Sequence, residues 1–183
     1  MTANWGNRLW YLLHTISTTY PDQPTTLTRK YYSIFLNQLL YVIPCPRCQK
    51  ECILYMKKHP PELQHQDSLY QWLYQFHNSV NSRLGKPTIT LEACRNIYKS
   101  TNHAKNIETV NLLTGYHFHD IFKIKQYLVW MQLLCSFYPN LEYRKQLCNM
   151  YVKFYNHAIK LVRKRYLGMM PNKYKMRIMA RRR

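Results

Sequence analysis

The sequence predicts an all-α fold: a four-helix bundle, a short fifth helix, an added C-terminal helical hairpin and a basic tail. Three observations carry that expectation. Apolar residues recur at helical spacing through nearly every segment. Only four glycines occur in 183 residues, too few for a glycine-rich dinucleotide loop. The joints between periodic segments are short and contain proline or asparagine, which suits antiparallel neighbours in a bundle. With 46% hydrophobic residues the chain can bury a core.

The first helix runs from Trp5 to about Thr19, with Leu9, Leu12, Leu13 and Ile16 on one face, and breaks at Tyr20-Pro21-Asp22-Gln23-Pro24. The second covers about Thr28 to Val42, its stripe being Tyr31, Ile34, Phe35, Gln38, Leu39 and Val42. Pro44 ends it. Cys45-Pro46 opens a third helix that stops at His59-Pro60-Pro61, and a fourth spans about Ser68 to Leu84 before Gly85-Lys86-Pro87. A short helix from Leu91 to Lys99 completes residues 1–99, the expected catalytic domain. Residues 100–120 are polar and uneven and read as a linker. Helices from Ile121 to Tyr138 and Leu141 to Leu167, split by Pro139-Asn140, form the 121–167 extension. Their stripes are Leu128, Met131, Leu134 and Cys135, then Cys148, Tyr151, Val152, Tyr155, Ile159 and Val162. Residues 168–183 read as a disordered basic tail.

Charge divides the chain. Through Glu142 there are 14 basic and 8 acidic residues; from Tyr143 to Arg183 there are 13 basic residues and no acidic one. A surface so basic favours nucleic acid, an anionic membrane surface or an acidic protein. No uncharged apolar stretch reaches the ~18 residues of a membrane span, and the N-terminus reads as neither a secretory nor a transit signal. The expectation is a protein kept in the cytosol, where six cysteines point to catalysis or metal binding more than to a disulfide framework.

Three clusters carry chemistry. In Pro44-Cys45-Pro46-Arg47-Cys48, two cysteines three apart sit at a helix start, with proline at its tolerated first position. The positive helix end and Arg47 favour a thiolate, as a redox dithiol requires. Half of a zinc site is the alternative: Cys52 and His59 offer further ligands, but no second CxxC or HxxxH pair completes a set. The second cluster runs from Trp72 to Pro87. There His77, Asn81 and Leu84 share a helical face with Asn78 beside them, while Leu73, Phe76 and Val80 point to the core side. A polar stripe of that kind is either a hydrogen-bonded surface or the wall of a ligand rich in ring nitrogens. The third is Gly6-Asn7-Arg8-Leu9-Trp10 through His14, where Trp10 and His14 lie one turn apart and could wall an aromatic slot.

Taken in order, these clusters resemble the Erv/ALR family of FAD-linked sulfhydryl oxidases, most of all members from large cytoplasmic DNA viruses. The resemblance spans roughly residues 3–99. It rests on Gly6, Trp10, Leu13-His14 and Tyr20-Pro21; on Pro44, Cys45 and Cys48; and on Trp72, His77-Asn78, Val80-Asn81 and Leu84-Gly85-Lys86-Pro87.

It implies a helical bundle holding FAD, with Cys45 and Cys48 as the catalytic pair. Gly6, Arg8, Trp10, His14, Trp72, His77, Asn78, Val80, Asn81 and Leu84 would contact the cofactor. Arg83 and Lys86 would meet its phosphates, and Tyr98 would cover it. Substrate thiols would attack Cys45, Cys48 would pass electrons to the flavin, and oxygen would become hydrogen peroxide. The implied partners are thiol-containing proteins or a thioredoxin-like relay, and a second copy paired through the first helices. The basic tail adds an anionic surface or nucleic acid, and the setting is host cytoplasm, a virus factory or a virion. The structural disulfide common in cellular members would fall at Tyr74 and Leu91 and cannot form. Cys52 reads as a buried apolar cysteine and Cys94 as structural.

Overall fold

In a computed structural model of the chain, residues 5–117 and 121–169 are described, and all of their regular structure is helical. The elements are α1 (Trp5–Ser17), α2 (Thr26–Asn37), α3 (Leu39–Val42), α4 (Pro46–Lys58), α5 (Gln66–Arg83) and α6 (Leu91–Tyr98). Then come α7 (His103–His117), α8 (Ile121–Phe137) and α9 (Leu141–Met169).

Local chemistry fixes the boundaries. Thr25 caps α2, its hydroxyl oxygen accepting from the Thr28 amide at 3.1 Å, and Thr90 caps α6 through Ala93 at 3.1 Å. At α5 the His65 ring accepts from the Ser68 amide at 3.2 Å, while the Ser68 hydroxyl receives the His65 amide at 3.0 Å. Each cap, reciprocal only at α5, satisfies amides that a helix start leaves orphaned. α5 ends where Gly85 takes a φ of 66°, which costs glycine least. The Lys86 amide then reaches back to the Asn81 carbonyl at 2.9 Å.

The expected second helix is two helices. The ladder breaks at Gln38, whose amide closes α2 on Ile34 while its carbonyl receives Tyr41 at 2.9 Å. Its buried stripe passes through Tyr32, Phe35 and Leu36, and Tyr31 faces outward. The cause is α8: Phe137 stacks on Tyr32 at 4.0 Å and Trp130 on Phe35 at 5.6 Å.

The expected linker at 100–120 is also corrected, since 103–117 forms α7. Its inward face is partly polar. Asn106 and Thr109 are buried with Val110 and Leu113, and Asn106 donates to Thr15 at 3.0 Å and to Tyr138 at 3.1 Å. Such a face gives no clean apolar period, and tertiary packing makes the helix.

The C-terminal hairpin forms as expected, with a shifted register on α9. Leu147, Phe154 and Ala158 are buried, whereas Val152, Tyr155 and Val162 are exposed. α7 packs on α1, and α8 packs on α2 and α3, so bundle and extension share one hydrophobic cluster. Leu12 to Ser17 are all buried within the chain, while Trp5 to Arg8, Trp10 and Tyr11 of the first helix keep some exposure. The basic tail lies outside the described residues beyond Met169. Among the described residues no helix is long and apolar enough to cross a membrane.

Candidate active site

Cys45 occupies the N-cap of α4 and Pro46 its first turn. The Cys45 sulfur accepts the Cys48 amide at 3.3 Å, so the helix start points its positive end at this sulfur. Both thiols are free and half-buried. Burial alone would raise the Cys45 pKa. Hydrogen bonds from the Cys48 thiol and from the amides of Cys48 and Arg47, with the charge of Arg83, outweigh it and hold Cys45 below the ordinary thiol value. Cys48 goes the other way: burial, then the hydrogen bond and charge of Cys45, push it up, and Arg83 opposes them. The pair is therefore polarised, with the negative charge preferred on Cys45.

The cation responsible is not the expected one. Arg47 points to solvent and contributes only its backbone amide. Arg83, from the end of α5, supplies the charge, held 3.9 Å from Glu51 of α4. This ion pair links the cofactor-side helix to the cysteine helix.

Both cysteines open onto a cavity of about 610 Å³ between α1, α4 and α5. Of the expected cofactor contacts, Gly6, Trp10, Val80, Asn81, Arg83, Leu84 and Lys86 line it. Trp5, Asn7, Leu39, Ile43, Glu51, Cys52 and Phe76 line it as well, none of them among the expected cofactor contacts. Glu51 and Cys52 could have been found, since they lie three and four residues beyond Cys48 on one helical face. Phe76 and Val80, read as core-facing, turn to the cavity because that cavity is the hollow of the bundle itself.

The remaining candidates stand elsewhere. Trp10 stacks on His77 at 4.5 Å and His14 stacks on Tyr98 at 4.2 Å. Trp10 and His14, expected to form one wall of an aromatic slot, thus each stack on a second ring. No third ring fits between the two members of either pair at such spacing. Trp72 is a core residue whose ring nitrogen donates to the His59 carbonyl at 3.0 Å. Asn78 clamps Ile89 from both sides, donating to its carbonyl at 2.8 Å and accepting its amide at 3.0 Å. That clamp pins the segment carrying Lys86 against α5. Arg8 is paired with Glu108 of α7 at 3.1 Å. Cys94 is buried against Tyr70 at 3.5 Å. Cys52 is buried too, and burial pushes its thiol up to about 12.

Burial, then the charge of His77, holds His14 down at about 3; burial, then Lys86, holds His77 at about 4. Both imidazoles are neutral near neutral pH. Neither Nδ1 has a hydrogen-bond partner among the described residues. A buried ring nitrogen without a partner costs free energy until a ligand meets it.

These features fit a flavin nucleotide. The cavity is apolar where Leu13, Ile43 and Phe76 face it and touches the redox pair, and Arg83 and Lys86 give it a cationic rim for a pyrophosphate. The zinc alternative has no comparable support: among the described residues no group of three His, Cys, Asp or Glu side chains could hold a metal.

Known proteins match the same half of the chain. The Erv1 / Alr family model covers residues 7–103. The mitochondrial FAD-linked sulfhydryl oxidase ERV1 of Saccharomyces cerevisiae is 34% identical over 82 residues, 45% of this chain and 43% of that protein. An FAD-linked sulfhydryl oxidase of African swine fever virus is 31% identical over 99 residues, 54% of this chain and 82% of that one. The crystal structure of the FAD-binding domain of yeast Erv1 superposes with a TM-score of 0.51 at 30% identity, covering 54% of this chain and 95% of that one. The chain thus spans less than half the length of the yeast relative and most of the viral one. With its helical bundle, its cysteine pair and more than half its length matched, the chain belongs to the Erv1/Alr family.

Proposed function

We propose that this protein is an FAD-dependent thiol oxidase in which Cys45 and Cys48 form disulfides in protein substrates, with oxygen reduced to hydrogen peroxide. The observation that carries the reading is the polarised pair opening onto the cavity between α1, α4 and α5. A substrate thiolate attacks the Cys45 sulfur of the disulfide form, and Cys48 leaves as the thiolate. A second substrate thiol attacks the mixed disulfide, releasing the oxidised substrate and leaving Cys45 and Cys48 reduced. Arg83 stabilises the negative sulfur in both steps. When bound, FAD accepts the dithiol's electron pair and delivers it to oxygen. Gly6, Trp10, Val80, Asn81, Leu84 and Lys86 hold it along the cavity, and His77 presents its free nitrogen. His14 and Tyr98 back this layer, while Arg8, Trp72 and Asn78 support it from behind.

Oxygen uptake with dithiothreitol tests the reading. Cys45→Ser and Cys48→Ser each abolish uptake while flavin stays bound. Near-wild-type uptake in both variants refutes the assignment.

Residues 5–99 make up the catalytic unit, and 103–169 cover it. A homodimer of this chain pairs through its first helices, and after truncation at residue 99 it stays a dimer unless the extension contributes to the interface. The 168–183 segment concentrates the enzyme near thiol-bearing partners by holding an anionic surface or nucleic acid. That binding weakens steeply with salt, as counterion release requires, and its loss leaves dithiothreitol turnover intact. The setting we favour is host cytoplasm, a virus factory or a virion.

A further inference from the structure

Much of the apolar stripe that the sequence assigns to the packed face of α9 lies outward. The helix packs on α7 and α8, and Leu147, Phe154 and Ala158 are its buried residues. Beside them runs a second apolar row made of Val152, Tyr155, Ile159, Val162, Tyr166 and Met169. Five of these six are exposed, from 44% at Tyr155 to 77% at Met169, and Ile159 is half-buried. Their spacing alternates between three and four residues, which is the 3.5-residue period of a coiled-coil seam. Single exposed apolar side chains are ordinary on a protein surface. A continuous row about five turns long is not, and such a surface is where another molecule is received.

We infer that this row is a docking surface for one amphipathic helix of an acidic partner protein. The shape of the row selects a helix. A seam of this period is narrow, and a single helix with matching apolar positions covers it along its length. A helix that lies on a bilayer sinks a broad apolar face instead, and on α9 the face beside the seam is already packed against the protein.

Charge selects an acidic helix. α9 carries Lys145, Lys153, Lys160, Arg163 and Lys164, all exposed, and its sequence holds no acid after Glu142. A helix laid along the seam therefore lies in a positive field from end to end, and carboxylates beside its apolar positions complement that field. A second copy of α9 would bring the same cations and no carboxylate to answer them, so like charges would face each other. The inference goes beyond the thiol chemistry and does not depend on the roles of Cys45 and Cys48.

The test uses the full flavin-loaded chain and a fluorescent three-heptad peptide with leucine at the seam positions and glutamate on both flanks. Anisotropy is followed at about 0.15 M salt, where long-range attraction is screened. The wild type should bind this peptide and should not bind one in which lysine replaces glutamate. Val152→Ser combined with Val162→Ser should weaken binding about thirtyfold. That variant keeps every cation, and its dithiothreitol turnover and helical circular dichroism should match wild type. Should it lose its helical spectrum, Tyr155→Gln alone carries the same test with a loss of about fivefold. No binding by wild type, or equal binding by the seam variants, would overturn the inference, the second because charge alone would then hold the peptide. A solution mass that falls by half in the double variant would assign the row to a second copy and overturn it too. So would phosphatidylserine vesicles that bind wild type and not the double variant, since the row would then belong to a lipid surface.

Discussion

Cys45 with Cys48, and Cys135 with Cys148, lie in opposite surroundings, and those surroundings decide which sulfur can carry charge. Cys45 and Cys48 sit three apart at a helix start, under the amides of α4 and the guanidinium of Arg83, and open onto a cavity. Cys135 and Cys148 sit on facing helices among Leu134 and Leu147, with no helix start aimed at them. In the first pair local dipoles overcome burial and favour a thiolate on Cys45. In the second, burial dominates and Cys135 stays protonated. A thiol becomes a nucleophile where its charge is stabilised and stays protonated where it is not.

Breaking the cofactor side has the largest effect expected after loss of the cysteines themselves. The combined change His77→Ala and Asn81→Ala removes two polar contacts from α5. At about 1 kcal/mol each this weakens flavin retention roughly thirtyfold, whereas each single change costs roughly fivefold. Flavin content after dialysis measures it, and full occupancy in the double variant would place this face elsewhere. A control at Cys135 should leave flavin content unchanged.

Removing the cation that lowers both thiols of the first pair has a smaller effect. Arg83→Met raises the pKa of Cys45, because a stabilising cation is lost, and moves the alkaline rise of thiol oxidation to higher pH. Arg83→Lys restores part of it. Arg47→Met should move nothing, since the Arg47 side chain faces solvent. An equal shift in both variants would contradict the assignment of Arg83.

The buried imidazoles give a subtler test through stability. His77 and His14 are held at about 4 and about 3 in the folded chain, against 6.5 when unfolded. Both folded values are depressed, so the unfolded chain binds protons that the folded one refuses. Stability is fully present above about pH 6.5 and is lost as pH falls toward the folded values. Between about pH 7 and about pH 5 each histidine should cost roughly 2 kcal/mol. Denaturant midpoints of wild type and His77→Gln measure it, and the variant should show the shallower dependence. Parallel slopes would mean that His77 is not buried as a neutral ring.

Much of this was legible in sequence because it depends on short spacings. Pro44, Cys45 and Cys48 predict a helix start, and the structure supplies the cap that the spacing implies. Gly85 after a periodic run predicts the end of α5, and its positive φ is the physical reason. The rest depended on contacts from far along the chain. α7 was hidden because Asn106 is buried only where Thr15 and Tyr138 accept its hydrogen bonds, and Thr109 bonds within its own helix to the Lys105 carbonyl. Tyr32 displaced Tyr31 in the stripe of α2 because Phe137, a hundred positions further on, packs there. Arg47 looked like the activating cation from its adjacency, and Arg83 takes that role because α5 ends beside α4. Asn78 matched a ligand contact by motif and serves a backbone clamp.

The most direct measurement follows the visible flavin band after anaerobic addition of dithiothreitol to flavin-loaded wild type, Cys48→Ser and Cys135→Ser. If Cys45 and Cys48 are the route by which thiol electrons leave the substrate, the band is lost in wild type and Cys135→Ser and persists in Cys48→Ser. Loss of the band in Cys48→Ser at the wild-type rate would contradict the account.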